Sequence, residues 1–163
     1  MSGQVRGKIV MKHIIFSAAL SAALLVAAGS ASAQNAGLKA NFGEINLSAG
    51  FTPDPYRVSV TAGGSIDGAR LPGSCTGRIS DAPDFEVTYS AGSLPLVFRT
   101  LSSTDTTLII NGPNGDWSCD DDSYGDGDAE VRFNKPSSGT YDVWIGTFGG
   151  GTASATLLIT ETP

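Results

Sequence analysis

The chain has 163 residues, of which 16 are acidic and 10 are basic, and its formal net charge is −6. Such an acidic protein repels nucleic acid and anionic lipid, so neither is an expected partner. The single histidine, His13, lies in an N-terminal segment that we expect to be removed. This excludes the Ser-His-Asp triad, the Cys-His pair and histidine-rich zinc sites from the mature chain.

Residues 1–33 are predicted to be a secretory signal peptide. Lys12 opens an apolar run of about 14 residues, and Ala31 and Ala33 are the small residues that precede a signal-peptidase cut. The run is too short for a membrane-spanning helix, which needs about 20 apolar residues. We therefore expect a periplasmic or secreted protein without a stable membrane anchor, with Met11 as its true start.

Removal of this segment changes the charge of what remains. It takes away three basic residues and no acidic one, leaving 7 basic and 16 acidic residues and a net charge of −9. We expect a leader and first strand over residues 34–50, followed by a single sandwich domain over residues 51–163. This mature protein is expected to be a monomer.

The mature chain alternates apolar and polar residues with a period of two, which is typical of half-buried strands. Alternating or short apolar runs occupy residues 58–60, 85–89, 94–98, 108–110, 131–133, 141–145 and 155–159. Glycine- and proline-containing turns separate them, and no helical periodicity follows residue 33. The pattern predicts an all-β fold, an antiparallel β-sandwich or jelly roll of about seven to nine strands.

Two cysteines, Cys75 and Cys119, are present in the mature chain. An even number of cysteines in an oxidising compartment predicts a disulfide. The alternative is a pair of reduced, buried thiols.

An acidic loop is the most informative stretch of the sequence. Like charges this close repel one another unless they are solvated or neutralised. Calcium binds about six to eight oxygen ligands in irregular geometry, which suits such a loop. We therefore predict calcium as a cofactor, the alternative being a solvated turn that only confers solubility. The candidate ligands in this loop are Asp120, Asp121, Asp122, Asp126 and Asp128.

The spacing of the loop is not that of an EF-hand. Counted from Asp120, the twelfth position is Val131 rather than the required glutamate. No predicted helices flank the loop either. A calcium site here would therefore be of another type.

Four short motifs follow one another around this loop. They are Asp105-Thr106-Thr107-Leu108, Asn111-Gly112-Pro113-Asn114-Gly115, Asp120-Asp121-Asp122, and Pro136-Ser137-Ser138-Gly139-Thr140-Tyr141-Asp142-Val143-Trp144. In this order they resemble the bacterial pre-peptidase C-terminal domain, a β-sandwich family with the progression D-T-x-L, P-x-G, D-D and P-x-G-x-Y-x-V. The resemblance covers residues 83–160.

This resemblance implies an exported sandwich with an accessory binding role, which in some members binds calcium. The family often accompanies proteases in longer proteins, but this chain contains no protease domain. By its motif position Asp105 joins the candidate cation ligands, its alternative being a turn residue that bonds its own backbone.

The two tryptophans are candidates for stacking on a sugar or a protein partner. Trp144 alternates with Tyr141 and Val143, which we predict to be core. Trp144 is itself core if its own face of the sheet is covered. Trp117 lies close to Cys119 and is expected to pack on the disulfide.

These observations favour a non-catalytic exported β-sandwich module, stabilised by calcium, with a binding or structural role toward a protein or polysaccharide. One alternative is a hydrolase, either a carboxylate-pair glycosidase or a peptidase-associated protein. A second alternative is an accessory or inhibitory partner of an exported protease.

Overall fold

A computed structural model describes residues 35–162, together with Met1 and Gly3. The secretory signal predicted over residues 1–33 lies outside the described residues, apart from Met1 and Gly3. All of the strands belong to one unit of the chain, Ala31–Pro163.

Eleven strands and one short 3-10 turn, Gly68–Arg70, are present in the described chain. The strands are β1 (Glu44–Ser48), β2 (Tyr56–Gly63), β3 (Ile66–Asp67), β4 (Arg78–Ile79), β5 (Phe85–Ser90), β6 (Leu96–Ser102), β7 (Thr106–Asn111), β8 (Trp117–Asp120), β9 (Glu130–Phe133), β10 (Gly139–Thr147) and β11 (Thr152–Thr160). The predicted all-β sandwich is confirmed. The number of strands exceeds the prediction because β3 and β4 are two residues long, too short for alternation to show in the sequence.

The strands form two sheets. In the large, seven-stranded sheet, β1, β5, β10, β7 and β8 lie side by side, and the short β4 and β3 continue from the end of β10. The small, four-stranded sheet has the order β2-β11-β6-β9. Strand β10 is central to the large sheet because it pairs with β5 along one edge and with β7 along the other.

One pairing differs from the antiparallel sandwich that the sequence predicts. Strand β1 pairs with β5 in parallel, from Glu44 opposite Glu86 to Ser48 opposite Ser90. The connection from β1 to β5 passes through β2 in the other sheet and through β3 and β4, so β1 is free to run in the same direction as β5. The remaining strand pairs are antiparallel.

The main core lies between the two sheets and is built from the alternating apolar residues. Tyr141, Val143 and Ile145 of β10 are at most 1% exposed, which confirms the prediction that Tyr141 and Val143 are core. The start of β6 differs from the prediction, since Leu94 is 42% exposed and the strand begins at Leu96. Pro95 lies between them and cannot donate a ladder hydrogen bond, so it delays the strand.

A second, smaller core covers part of the outer face of the large sheet. The covering loop, residues 68–77, is closed by a hydrogen bond of 2.8 Å from the Gly68 N–H to the Gly77 carbonyl oxygen. Its apolar residues Leu71 and Cys75 pack with Ile109 and Trp144 of the sheet. The predicted Cys75–Cys119 disulfide is confirmed, with 5.1 Å between the two Cα atoms, and it attaches the loop to β8.

Replacing both cysteines with serine should lower the free energy of unfolding by about 4 kcal/mol at 25 °C, because the bond closes 44 positions of chain. Urea denaturation of the protein, followed by tryptophan fluorescence, measures this loss. The exposed Ser74→Ala change is the control and should leave stability unchanged. A decrease of less than about 1 kcal/mol in the free energy of unfolding of the double variant would contradict a stabilising role for the disulfide.

Candidate functional site

The acidic loop is held in shape by two of its own aspartates. Asp120 Oδ2 accepts hydrogen bonds of 2.9 Å from the backbone N–H groups of Ser123 and Glu130. Asp128 is 7% exposed, and its Oδ1 accepts a 3.0 Å hydrogen bond from the Ser102 N–H. These two carboxylates therefore fix the loop against its own turn and against β6.

Asp105 lies beside this loop, as its motif position implied. The Thr106 N–H donates a 2.8 Å hydrogen bond to the Gly127 carbonyl oxygen. Gly127 has a φ of 78° and approaches Asp105 so closely that an added Cβ would lie 3.3 Å from the Asp105 Cα. Local desolvation, followed by the charges of Asp122 and Asp121, raises the pKa of Asp105. The fold thus brings three of the predicted cation ligands into electrostatic contact.

The other predicted ligand, Asp126, occupies a left-handed conformation with a φ of 54°. Its charge acts on Asp128, whose pKa is raised mainly by desolvation. Within the described residues, no group of three or more His, Cys, Asp or Glu side chains is arranged to hold a metal ion. A cation at this loop would therefore require Asp105, Asp121 and Asp122 to draw together.

The two tryptophans pack against each other in the second core. Trp144 is 0% exposed, and its indole N–H donates to the Asp81 carbonyl oxygen at 3.4 Å. The Trp117 ring lies 5.4 Å from the Trp144 ring and keeps part of its surface exposed. Trp144 is therefore core, as predicted for a covered face of the sheet, and the alternative that it stacks on a ligand is wrong because the covering loop buries the ring completely. Trp117 and Cys119 both pack against the second core.

A second acidic arrangement lies on the outer face of the large sheet, at the border of the covering loop. The register places Glu44 opposite Glu86, and Glu86 opposite Asp142. Asp142 is in turn opposite Asn111, and Asn111 is opposite Trp117. We call Glu44, Glu86 and Asp142 the carboxylate row. Since neighbouring strands lie about 4.8 Å apart, the row spans about 10 Å.

Asp142 is the most constrained member of the carboxylate row. It is 7% exposed, and its Oδ1 atom is buried with no hydrogen-bond partner among the residues that the structure describes. Burial, reinforced by the charge of Glu86, raises the pKa of Asp142 from 3.8 to about 6. A buried oxygen without a partner costs free energy, so this carboxylate weakens the fold.

The other deeply buried carboxylates have structural partners. Asp84 Oδ2 accepts a 2.7 Å hydrogen bond from the Ile145 N–H, although burial still raises the pKa of Asp84 to about 6. Glu161 accepts hydrogen bonds from the Tyr89 hydroxyl at 2.5 Å and from the Gly50 N–H at 2.7 Å. Both side chains join distant segments, so their burial is explained by the fold. Among the described residues, no such hydrogen bond explains the burial of Asp142 Oδ1.

Sequence reasoning missed the carboxylate row. The alternation in the sequence places Glu86 and Asp142 on the face of their strands that points away from the main core, so their outward direction could be predicted. It gives no information on which strands are neighbours. The row depends on pairing between segments that are more than 40 positions apart in the chain.

Comparison with known proteins adds little to this description. No family model matches the chain, and no curated protein matches it in sequence. No helix within the described part of the chain has the length and hydropathy of a membrane span.

Two solved structures show a distant likeness to the chain. One is a mutant of PliG-Ec, a periplasmic inhibitor of g-type lysozyme from Escherichia coli, with 16% identity, a TM-score of 0.38, and coverage of 72% of this chain and 97% of that one. The other is PliG of Aeromonas hydrophila, also a periplasmic inhibitor of g-type lysozyme, with 14% identity, a TM-score of 0.36, and coverage of 72% and 96%. TM-scores this low do not establish a common fold, so what those inhibitors bind is not carried over to this chain.

Replacing Asp142 with asparagine should stabilise the protein at pH 8 and leave its stability unchanged at pH 4. Because the pKa of Asp142 is about 6 in the folded state and 3.8 ordinarily, the folded protein binds more protons between these values. The penalty of the charged form therefore builds up between pH 3.8 and 6 and is fully present above about pH 6. We expect a gain of about 1–2 kcal/mol at pH 8, measured by urea denaturation at both pH values.

The matched control for this experiment is Asp116→Asn, which removes an exposed charge. It is measured at the same two pH values and should not show the gain in stability at pH 8 that Asp142→Asn shows. A loss of stability in Asp142→Asn at pH 8 would show instead that the Asp142 charge supports the fold.

Proposed function

We propose that this chain is an exported, non-catalytic module that binds a macromolecular partner. The binding surface is the open part of the outer face of the large sheet, beside the covering loop. The observation that carries the proposal is the carboxylate row, in which the Asp142 Oδ1 atom is buried without a hydrogen-bond partner in the described part of the chain. Buried polar groups in native proteins are normally satisfied, and exceptions tend to occur at functional sites.

The placement of the carboxylates supports binding rather than hydrolysis. A carboxylate-pair hydrolase needs an acid and a base that both reach the substrate. Glu86 and Asp142 are neighbouring carboxylates with a raised pKa at Asp142. Asp142, however, is 7% exposed, on the same face of β10 as the buried Trp144. It can act on a ligand through its charge more readily than by proton transfer.

Export is part of the proposal, and the disulfide supports it. Disulfides persist in the periplasm and outside the cell, and they are rare in reducing cytosol. The Cys75–Cys119 bond joins the covering loop to the large sheet. In a reducing compartment this bond would be broken, and the loop would lose its covalent attachment to the sheet.

We also propose membership of the pre-peptidase C-terminal domain family, on the positions of its motifs. The D-T-T-L segment leads into and forms the start of β7, and the P-S-S-G-T-Y-D-V-W segment leads into β10. These two strands are neighbours in the large sheet. The acidic D-D-D segment begins at the end of β8, which pairs with β7.

Calcium is proposed as a stabiliser of the acidic loop. Asp105, Asp121 and Asp122 would hold it, since their charges already act on one another. A bound divalent cation would neutralise this repulsion and use the carboxylate oxygens that calcium prefers.

Millimolar calcium should raise the melting temperature of the exported protein by a few degrees, because a ligand that binds only the folded state stabilises it. Differential scanning calorimetry in calcium, magnesium and EDTA measures the effect. Asp105→Asn should abolish the rise, whereas the exposed Asp116→Asn should retain it. Identical melting curves in calcium and EDTA would refute the metal proposal and leave the binding proposal intact.

Site-specific photocrosslinking tests the binding surface. A photoreactive amino acid at Asn46, an exposed position on the outer face of β1, should yield a discrete crosslinked species in the cells that export the protein. The same amino acid at Thr61, exposed on the small sheet, is the control and should not. If Asn46 yields no species, or if Thr61 yields the same one, the large sheet is not the binding surface.

A further inference from the structure

We propose that the carboxylate row, together with Asn111 and Trp117, binds an arginine side chain presented by a protein partner. This inference rests on the proposed binding role and names the chemistry of the partner. Five adjacent strands of the large sheet contribute one residue each, in the continuous register Glu44, Glu86, Asp142, Asn111 and Trp117.

The row concentrates negative charge where a sheet ordinarily avoids it. Like charges directly opposite each other on neighbouring strands destabilise a sheet. Here Glu86 has an acidic residue opposite it on both sides, Glu44 on β1 and Asp142 on β10. A cation placed over Glu86 would relieve both repulsions at once.

The protein supplies no such cation from its described residues. The one ion pair among them joins Arg99 and Glu130, which are opposite each other on the small sheet. The Asp142 Oδ1 also finds no donor among the groups around it. An asparagine at this position would avoid the cost of a buried charge, so the carboxylate serves something other than stability.

Asp142 would act on a bound cation through its electric field rather than by direct contact. Its charge lies in a buried environment, where water screens it less than it screens an exposed carboxylate. Glu86 is half-buried and Glu44 is exposed, so these two provide the accessible oxygens. A cation that binds here would bond to Glu86 and would also be attracted by the charge of Asp142.

The remaining two residues favour an arginine over a metal ion. The row is linear, and no three carboxylates in the described chain surround a common point as metal coordination requires. A guanidinium group is planar, bonds carboxylates in a bidentate manner and stacks on aromatic rings. Asn111 and Trp117 continue the register beyond the row and offer an amide oxygen and a partly exposed ring. Trp117 lies three strands, about 14 Å, from Glu86, so its ring would contact the stem of an arginine whose guanidinium bonds to Glu86.

The overall charge agrees with a cationic partner. The mature chain has 7 basic and 16 acidic residues, a net charge of −9, so its field attracts basic proteins over long distances. Because this attraction is general, a test must separate the row from the rest of the acidic surface.

The probe is the peptide acetyl-Gly-Arg-Gly-amide, titrated into the exported protein and followed by NMR at the Trp117 indole N–H. The matched peptide carries citrulline, which has nearly the shape of arginine but no charge. We expect the arginine peptide to shift the Trp117 signal in a saturable manner and the citrulline peptide to leave it in place. Glu86→Gln and Asp142→Asn should each weaken binding about tenfold, the first because it removes a charge-assisted hydrogen bond and the second because it removes a weakly screened buried charge.

The control variant is Asp126→Asn, which removes one charge from the acidic loop and leaves the row intact. An asparagine tolerates the left-handed conformation of this position. It should leave the affinity within about twofold of the unmodified protein. Equal weakening by all three variants, or equal binding of the two peptides, would overturn the inference.

The outcomes also separate this inference from the proposed function. A crosslinked partner at Asn46 that binds Asp142→Asn and the unmodified protein equally would refute the arginine site and keep the binding role. Saturable binding of the arginine peptide without any crosslinked species would support the arginine site and refute the macromolecular role. Loss of peptide binding in Asp142→Asn cannot be attributed to unfolding if that variant is at least as stable as the unmodified protein.

Discussion

The pairing of β10 along both of its edges is the interaction on which the rest of the structure depends. One face of β10 supplies Tyr141, Val143 and Ile145 to the main core, and the other supplies Trp144 to the second core. The same pairing fixes the register of β5 and β7. Any displacement of β10 by one residue would exchange its two faces, so the core and the outer-face residues are specified together.

The second core explains why the outer face of the large sheet has a covered part and an open part. The disulfide holds the covering loop over Ile109 and Trp144, and this cover ends where the carboxylate row begins. Trp117 connects the two parts, since its ring packs on Trp144 and its backbone continues the register of the row through Asn111. A change at the disulfide would therefore alter the position of the Trp117 ring beside the row.

Much of the sandwich was predictable because burial on one face of a strand leaves a period of two in the sequence. The core positions of β10 could be inferred in this way, whereas the disulfide followed from an even number of cysteines in a chain predicted to be exported. The parallel pairing of β1 with β5 could not be, since strand order is set by packing between distant segments. The row combines residues 44, 86 and 142, and no local pattern links them. For Trp144, burial depended on a cover that the alternation does not reveal.

The two acidic features of this protein differ in how their charge is accommodated. In the acidic loop, the carboxylate oxygens of Asp120 and Asp128 accept hydrogen bonds from backbone N–H groups, and Asp126 is exposed to water. That loop can carry its charge without a ligand. In the carboxylate row, Asp142 has neither a backbone donor for its Oδ1 nor full access to water. A density of aspartates in the sequence is therefore a weaker guide to a binding site than a single buried carboxylate that the fold leaves unsatisfied, because water solvates exposed charges, whereas a buried oxygen without a partner keeps the full cost of its desolvation.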